Sequence, residues 1–117
     1  TQVYGSACSV AYNRHSTAAD WEVFATLVLE ASFEATLWAA VLAAQRHGTP
    51  GSRRCFLTCL GGGVFGNRME WIAKAMDRAF TRFKDYDLDI RIVTYAGAID
   101  RHLQKLEGKF GGGCSGL

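Results

Sequence analysis

The sequence is poor in several things, and each shortage removes a class of protein. It holds one proline in 117 residues, Pro50, so no part of it reads as a proline-rich linker or recognition segment. Its 4 cysteines, Cys8, Cys55, Cys59 and Cys114, include no CxxC pair and no zinc spacing, and no metal centre is expected. Cys55 and Cys59 fall on one face of a strand-like run but roughly 13 Å apart in an extended chain, beyond the reach of a disulfide. Buried, reduced thiols are expected instead, and with them a cytoplasmic setting. The formal net charge is only +2, and the basic residues occur as scattered pairs such as Arg53-Arg54. Without a basic stripe, no nucleic-acid partner is expected. There is no low-complexity tract, and a composition 49% hydrophobic and 21% charged is that of a globular chain. No segment has the layout of a secretory signal. The opening Thr1-Gln2-Val3-Tyr4 reads as mid-strand, so the chain is expected to be a fragment of a longer protein.

What the sequence does have is one long apolar run. Residues 23–44 are long enough to span a bilayer. Glu30 and Glu34 stand in the middle of the run, where a buried carboxylate costs several kcal/mol, so no membrane span is expected. Glu22, Thr26, Glu30 and Glu34 recur every four residues, as a narrow wet stripe on an otherwise buried helix would.

The order of elements follows from periodicity and punctuation. Residues 1–12 carry few charges and read as a central strand. Thr17 with Asp20 offers a helix N-cap, Gly48 and Pro50 a stop, and the spacing predicts a helix over residues 18–46. Its inner face is expected to be Phe24, Leu27, Val28, Ala31, Ala35, Trp38 and Leu42. Residues 55–60 read as a short buried strand. Ile72, Ala75, Met76, Ala79, Phe80 and Phe83 at helical spacing predict a second helix with those residues in the core. Alternation of Leu88, Ile90 and Ile92 with Asp89 and Arg91 predicts a last strand over residues 88–95. A short terminal helix over residues 98–107 and a loose glycine-rich tail, residues 108–117, complete the chain. The class is α/β: parallel β-α-β-α-β, with helices layered on the sheet. The first helix is more apolar than one sheet face can cover. An apolar patch along Phe33, Leu37, Trp38 and Val41 and along residues 1–12 is therefore expected to meet an absent N-terminal half or another protein chain.

The most informative stretch is "CLGGGVFGN", residues 59–67, which joins the second strand to the second helix. Strand, glycine loop and helix together present backbone N–H groups to an anion at a helix N-terminus, beyond the carboxyl end of a parallel sheet. Gly61, Gly62, Gly63 and Gly66 permit positive φ and remove side chains that would hold a phosphate away. Asn67 suits the N-cap, and Glu70 three residues on completes a capping-box pattern. A tight strand-to-helix connection is the plainer use of such a loop. No Lys-Ser or Lys-Thr follows Gly66, which excludes a kinase-type phosphate loop. Gly61, Gly63 and Gly66 match GxGxxG, but the next strand ends in Tyr95-Ala96-Gly97 rather than in the acid that a dinucleotide fold uses.

"GGGVFGN" after "CFLTCL" resembles the second phosphate-binding loop of the macrodomain fold, Thr-Gly-Val-Phe/Tyr-Gly followed by an aromatic. It is similar also to the Gly-Cys-Gly-Ala-Phe-Gly-Gly-Asp segment of poly(ADP-ribose) glycohydrolases. Gly63, Val64, Phe65 and Gly66 fit both, whereas Gly62 replaces a Thr or Cys and Asn67 an aromatic or glycine. "LVLEASFEATLWAA", "CFLTCLGGGVFGN" and "LDIRIVTYAG" follow the macrodomain order, and the whole stretch resembles macrodomain-like proteins of bacteria and protists. The resemblance implies a three-layer macrodomain-like C-terminal half over residues 1–107 that binds an ADP-ribose-type nucleotide. Loop amides from Gly61 to Asn67 would hold the diphosphate, and Phe65 would wall the distal ribose or plug the core. Tyr12, Asn13 and Tyr95 would border the cleft. Residues 1–117 alone would then bind only weakly. ADP-ribose is the ligand candidate, and no separate cofactor is expected. The resemblance leaves two roles open: a part of an ADP-ribosyl hydrolase, or a non-catalytic structural or assembly subunit. No catalytic acid is visible. Cys8 with His15 is a chance pairing by spacing alone, and His47 and His102 read as surface or helix-end residues.

Overall fold

The computed structural model of the chain describes residues 1–12, 17–62, 65–94 and 99–110. Among these are three α-helices, α1 (Ala18–His47), α2 (Met69–Phe83) and α3 (Arg101–Phe110), and two strands, β1 (Arg54–Thr58) and β2 (Asp89–Val93). The strands pair in parallel, with Arg54 opposite Asp89 and Thr58 opposite Val93. The architecture is thus mixed α/β, with a parallel pair joined through α2.

The punctuation of α1 acts as its chemistry dictates. The Thr17 hydroxyl accepts from the Asp20 backbone N–H, and the Asp20 carboxylate accepts from the Thr17 backbone N–H at 2.8 Å. The Thr17 backbone N–H, and after it the Thr17 hydroxyl, which donates to the same carboxylate at 3.0 Å, hold the Asp20 carboxyl below its ordinary pKa. At the other end Gly48 closes the helix in the left-handed conformation, its N–H donating to the Ala44 carbonyl.

Which face of α1 is buried differs from the sequence-based expectation. Ala25, Leu29, Phe33, Leu37 and Val41 face the core, with Leu29 and Leu37 wholly enclosed. Phe24 (57% exposed), Leu27 (59%), Trp38 (46%) and Leu42 (60%) point outward instead, as do Ala31 and Ala35. Both stripes are apolar, so hydropathy cannot rank them; ion pairing with α2 favours the observed face. Glu30 and Glu34 line no wet stripe but lie half-buried beside α2. There Arg78 reaches Glu34 at 3.1 Å and Glu30 at 3.9 Å, and Arg82 reaches Glu34 at 3.5 Å. The expected exposed patch is corrected in the same way. Phe33, Leu37 and Val41 are core residues, and of the four only Trp38 is open. By length and composition α1 is long and apolar enough to cross a membrane.

α2 buries Ile72, Ala75, Met76, Ala79, Phe80 and Phe83, all six expected core positions, together with Trp71 and Ala73. Cys55 and Leu57 of β1 are buried while Phe56 between them is exposed, the alternation of a strand covered on one face. Residues 1–12 do not form the expected strand: residues 1–9 are irregular and Val10–Tyr12 is a 3-10 turn. Gly5-Ser6 interrupts the apolar run there, and the buried residues, Ala7 and Val10, are three apart rather than alternating. The last helix runs to Phe110 and takes in residues 108–110 of the expected tail. It buries Leu103 and Leu106, and the Phe110 ring stands edge-on to Phe80 with centroids 5.6 Å apart. Residues 111–117 lie outside the described residues.

Candidate functional site

The glycine loop leaves β1 at the carboxyl end of the parallel pair and enters α2. Gly61 and Gly66 both have positive φ, 83° and 75°. Each also faces the N-terminal segment at close range. A Cβ at Gly61 would overlap the Ala7 methyl, and one at Gly66 would stand 2.7 Å from the Ala11 Cβ and 3.1 Å from the Ala11 nitrogen. Two of the four glycines are therefore required by backbone conformation and by the approach of residues 7–11. Gly62 is less constrained: an added Cβ would meet the Cys59 carbonyl at 3.4 Å. Gly63 and Val64 lie outside the described residues.

Asn67 is the one buried polar residue of the described core. It is not the N-cap, which is Arg68. Its backbone N–H donates to the Gly61 carbonyl at 3.0 Å, and its side-chain amide donates to the same carbonyl at 2.9 Å and to the Cys8 carbonyl at 2.8 Å. Asn67 thus closes the loop on itself and ties it to the N-terminal segment. Its Oδ1 is buried with no hydrogen bond among the described residues. The expected capping box with Glu70 is absent, because the Asn67 N–H that Glu70 would cap is already bonded to Gly61. Phe65 is half-buried against the hydrophobic core.

The start of α2 is consequently bare of a capping side chain. Of its first-turn N–H groups, that of Trp71 turns back onto the Arg68 carbonyl at 3.0 Å, which leaves those of Met69 and Glu70 to face solvent or a ligand. Arg68, exposed, lays its guanidinium 5.5 Å from the centre of the Trp71 ring. Of the expected cleft residues, Tyr12 ends the 3-10 turn one residue after Ala11, so that segment does reach the loop. Asn13 and Tyr95 lie outside the described residues.

Sequence reading missed a second group at this end of the sheet. Asp100 accepts from the His102 backbone N–H at 2.8 Å and lies 2.9 Å from its Nδ1, which caps the start of α3. The His102 N–H is the main reason the Asp100 carboxyl sits below its ordinary pKa. Burial, and secondarily the Asp100 charge, push the Cys59 thiol up. A thiol so protonated is a poor nucleophile. The signal for this cap was an Asp two residues before His at a helix start, an Asx pattern that periodicity does not register. A cavity of about 510 Å³ opens at the other end of the strands, lined in part by Val41, Thr49, Tyr86 and Leu88 and bridged by the Arg53–Asp87 ion pair. It is remote in sequence and topology from the glycine loop. Among the described residues no cluster of His, Cys, Asp or Glu is arranged to hold a metal ion.

Comparison of the chain with protein-family models, with curated proteins and with solved structures found no match in any of the three.

Proposed function

We propose that the chain binds the diphosphate of an ADP-ribose-type nucleotide at residues 61–70, as part of a macrodomain-like α/β domain. The observation that carries this reading is the N-terminus of α2. No side chain caps it, and Arg68, a cation, occupies the N-cap position. A positive charge at the positive end of a helix dipole is unfavourable by itself; a phosphate placed between the two satisfies both, and the N–H groups of Met69 and Glu70 as well. The site sits beyond the carboxyl ends of parallel strands, where open α/β sheets bind their ligands.

Binding by this chain is expected to be weak, in the millimolar range, since one loop offers few contacts. Amide chemical shifts recorded during an ADP-ribose titration should move within residues 61–70 and little elsewhere. Arg68→Glu should abolish those shifts without lowering the thermal melt, because Arg68 is exposed and a negative charge suits the helix N-terminus. Shifts centred elsewhere, or none at about 10 mM ligand, would remove the proposal.

A second reading, a loop with a purely structural role, is favoured by Asn67. Its N–H and side-chain amide are both consumed inside the loop and on Cys8, so part of the expected amide array is turned inward. The same titration separates the two readings.

A further inference from the structure

We propose that the outward face of α1 is a self-association surface, on which a second copy of this chain docks antiparallel about a two-fold axis near Phe33. The inference stands apart from the nucleotide reading and rests on the geometry of one helix.

α1 is a helix of 30 residues, about 45 Å long. Opposite its core-facing stripe run Phe24, Val28, Ala31, Ala35, Trp38 and Leu42, spaced alternately four and three apart. That spacing is the seam of a helix that packs lengthwise on another helix. Of these six, Phe24, Trp38 and Leu42 are exposed by about half or more, Ala31 and Ala35 present only a methyl to solvent, and Val28 is half-buried. With Leu27 they present roughly 500 Å² of apolar surface. Paired with an identical face, that is about 1,000 Å² before flanking groups are counted, the lower bound of a specific interface.

The stripe also shows which partner fits. Its positions are mirrored about Phe33: Phe24 with Leu42, Val28 with Trp38, and Ala31 with Ala35. A two-fold interface requires such self-complementarity, since each contact must occur twice with the roles exchanged. Turned antiparallel, bulky residues meet at both ends, and alanine meets alanine at the centre, where the two backbones approach most closely. Charge agrees. The acidic residues of α1, Asp20, Glu22, Glu30 and Glu34, precede its basic ones, Arg46 and His47. Asp20 and Arg46 are themselves mirrored about Phe33, so antiparallel pairing sets each beside the other, and opposes the two helix dipoles. Parallel pairing would align like with like. Trp38 is already positioned, its ring edge-on to Phe83 and Tyr86 at 4.8 and 5.7 Å, so little ordering is lost on association.

Sedimentation equilibrium of the 117-residue chain should give a monomer–dimer equilibrium. Ala31→Glu should raise the dissociation constant by about tenfold or more with unchanged helix content by circular dichroism. Leu27→Glu, at an exposed neighbouring position, serves as the second variant should the first lose structure. Orientation is read by mixing chains carrying Phe24→Cys with chains carrying Leu42→Cys under mild oxidation. Peptide mapping should find position 24 joined to position 42 of the other chain, because positions 24 of the two copies lie about 27 Å apart along an antiparallel pair. A monomer at hundreds of micromolar, a dimer indifferent to both glutamates, or a predominant 24-to-24 link would overturn the proposal. So would partition of the wild-type chain into neutral phosphatidylcholine vesicles, with α1 in the lipid, in place of dimer formation.

Discussion

Single residues decide the form of the glycine loop, and their roles are more structural than a run of glycines suggests. Gly66 combines φ of 75° with a neighbour, Ala11, that leaves no room for a methyl. Gly66→Ala is therefore expected to cost about 1–3 kcal/mol, from the left-handed backbone and the forced displacement of the N-terminal segment. Urea-induced unfolding measures this, and a loss below about 0.5 kcal/mol would mean that residues 7–11 lift away at little cost. The requirement was half legible beforehand. Four glycines between a strand and a helix announce close approach of something, but the letters do not say whether it is a phosphate or the chain's own Ala7 and Ala11. Asn67 was similarly ambiguous. Its side chain suits an N-cap by position, yet two carbonyls, Gly61 and Cys8, compete for its amide and take it, because buried carbonyls without donors are the costlier alternative. Contacts between residues about sixty apart in sequence leave no local pattern to read.

At the scale of elements, α1 shows where reading by hydropathy stops. Its boundaries were legible because Thr17, Asp20 and Gly48 carry their own hydrogen-bond chemistry. α2 was legible down to its six core residues because one face is apolar and the other charged. α1 has apolar stripes on opposite faces, and its orientation is set by what surrounds it, including Arg78 and Arg82 aligned with Glu30 and Glu34. These ion pairs are partly exposed and worth about 0.5 kcal/mol each at most, enough to break a near-tie but not to hold a helix. The two faces make opposite forecasts under truncation. Leu37→Ala empties a fully enclosed site and should cost about 2–5 kcal/mol, whereas Leu42→Ala, in dilute solution where the chain is monomeric, should cost under about 0.5 kcal/mol. Guanidinium melts of both variants check this, and equal losses would reverse the orientation assigned to α1. The first segment illustrates another limit. Residues 1–12 are apolar enough for a strand, but a strand exists only where an edge is available to pair with, and pairing is not a property of the segment alone.

Taken as a whole, the molecule is a set of helices gathered round a small sheet. Two parallel strands have too little hydrogen bonding and too little shared surface to persist unaided, so β1 and β2 depend on helix packing for their existence. If that dependence is mutual, strands and helices unfold as one unit, and Cys55 is placed to report it. It lies within β1, paired with Ile90 and buried, and burial raises its thiol above the ordinary value of 9.0. Both effects suppress reaction with iodoacetamide: access is blocked, and the thiolate that reacts is scarce. Cys8, part-exposed, should be alkylated within the native state. Cys55 should react only through opening, with a rate that falls as the chain is stabilised and rises with urea along the global unfolding curve. The pH dependence has a definite sign. A thiol with its native pKa raised holds its proton longer in the folded than in the unfolded state, so its contribution to stability is complete below pH 9.0 and declines as pH rises past it. Labelling followed by peptide mass analysis at pH 8 and pH 10 should therefore show Cys55 protection weakening by more than the simple gain in thiolate explains. Equal alkylation rates for Cys55 and Cys8 in the absence of urea would show instead that the sheet opens independently of the helices, and that the chain is not a single cooperative unit.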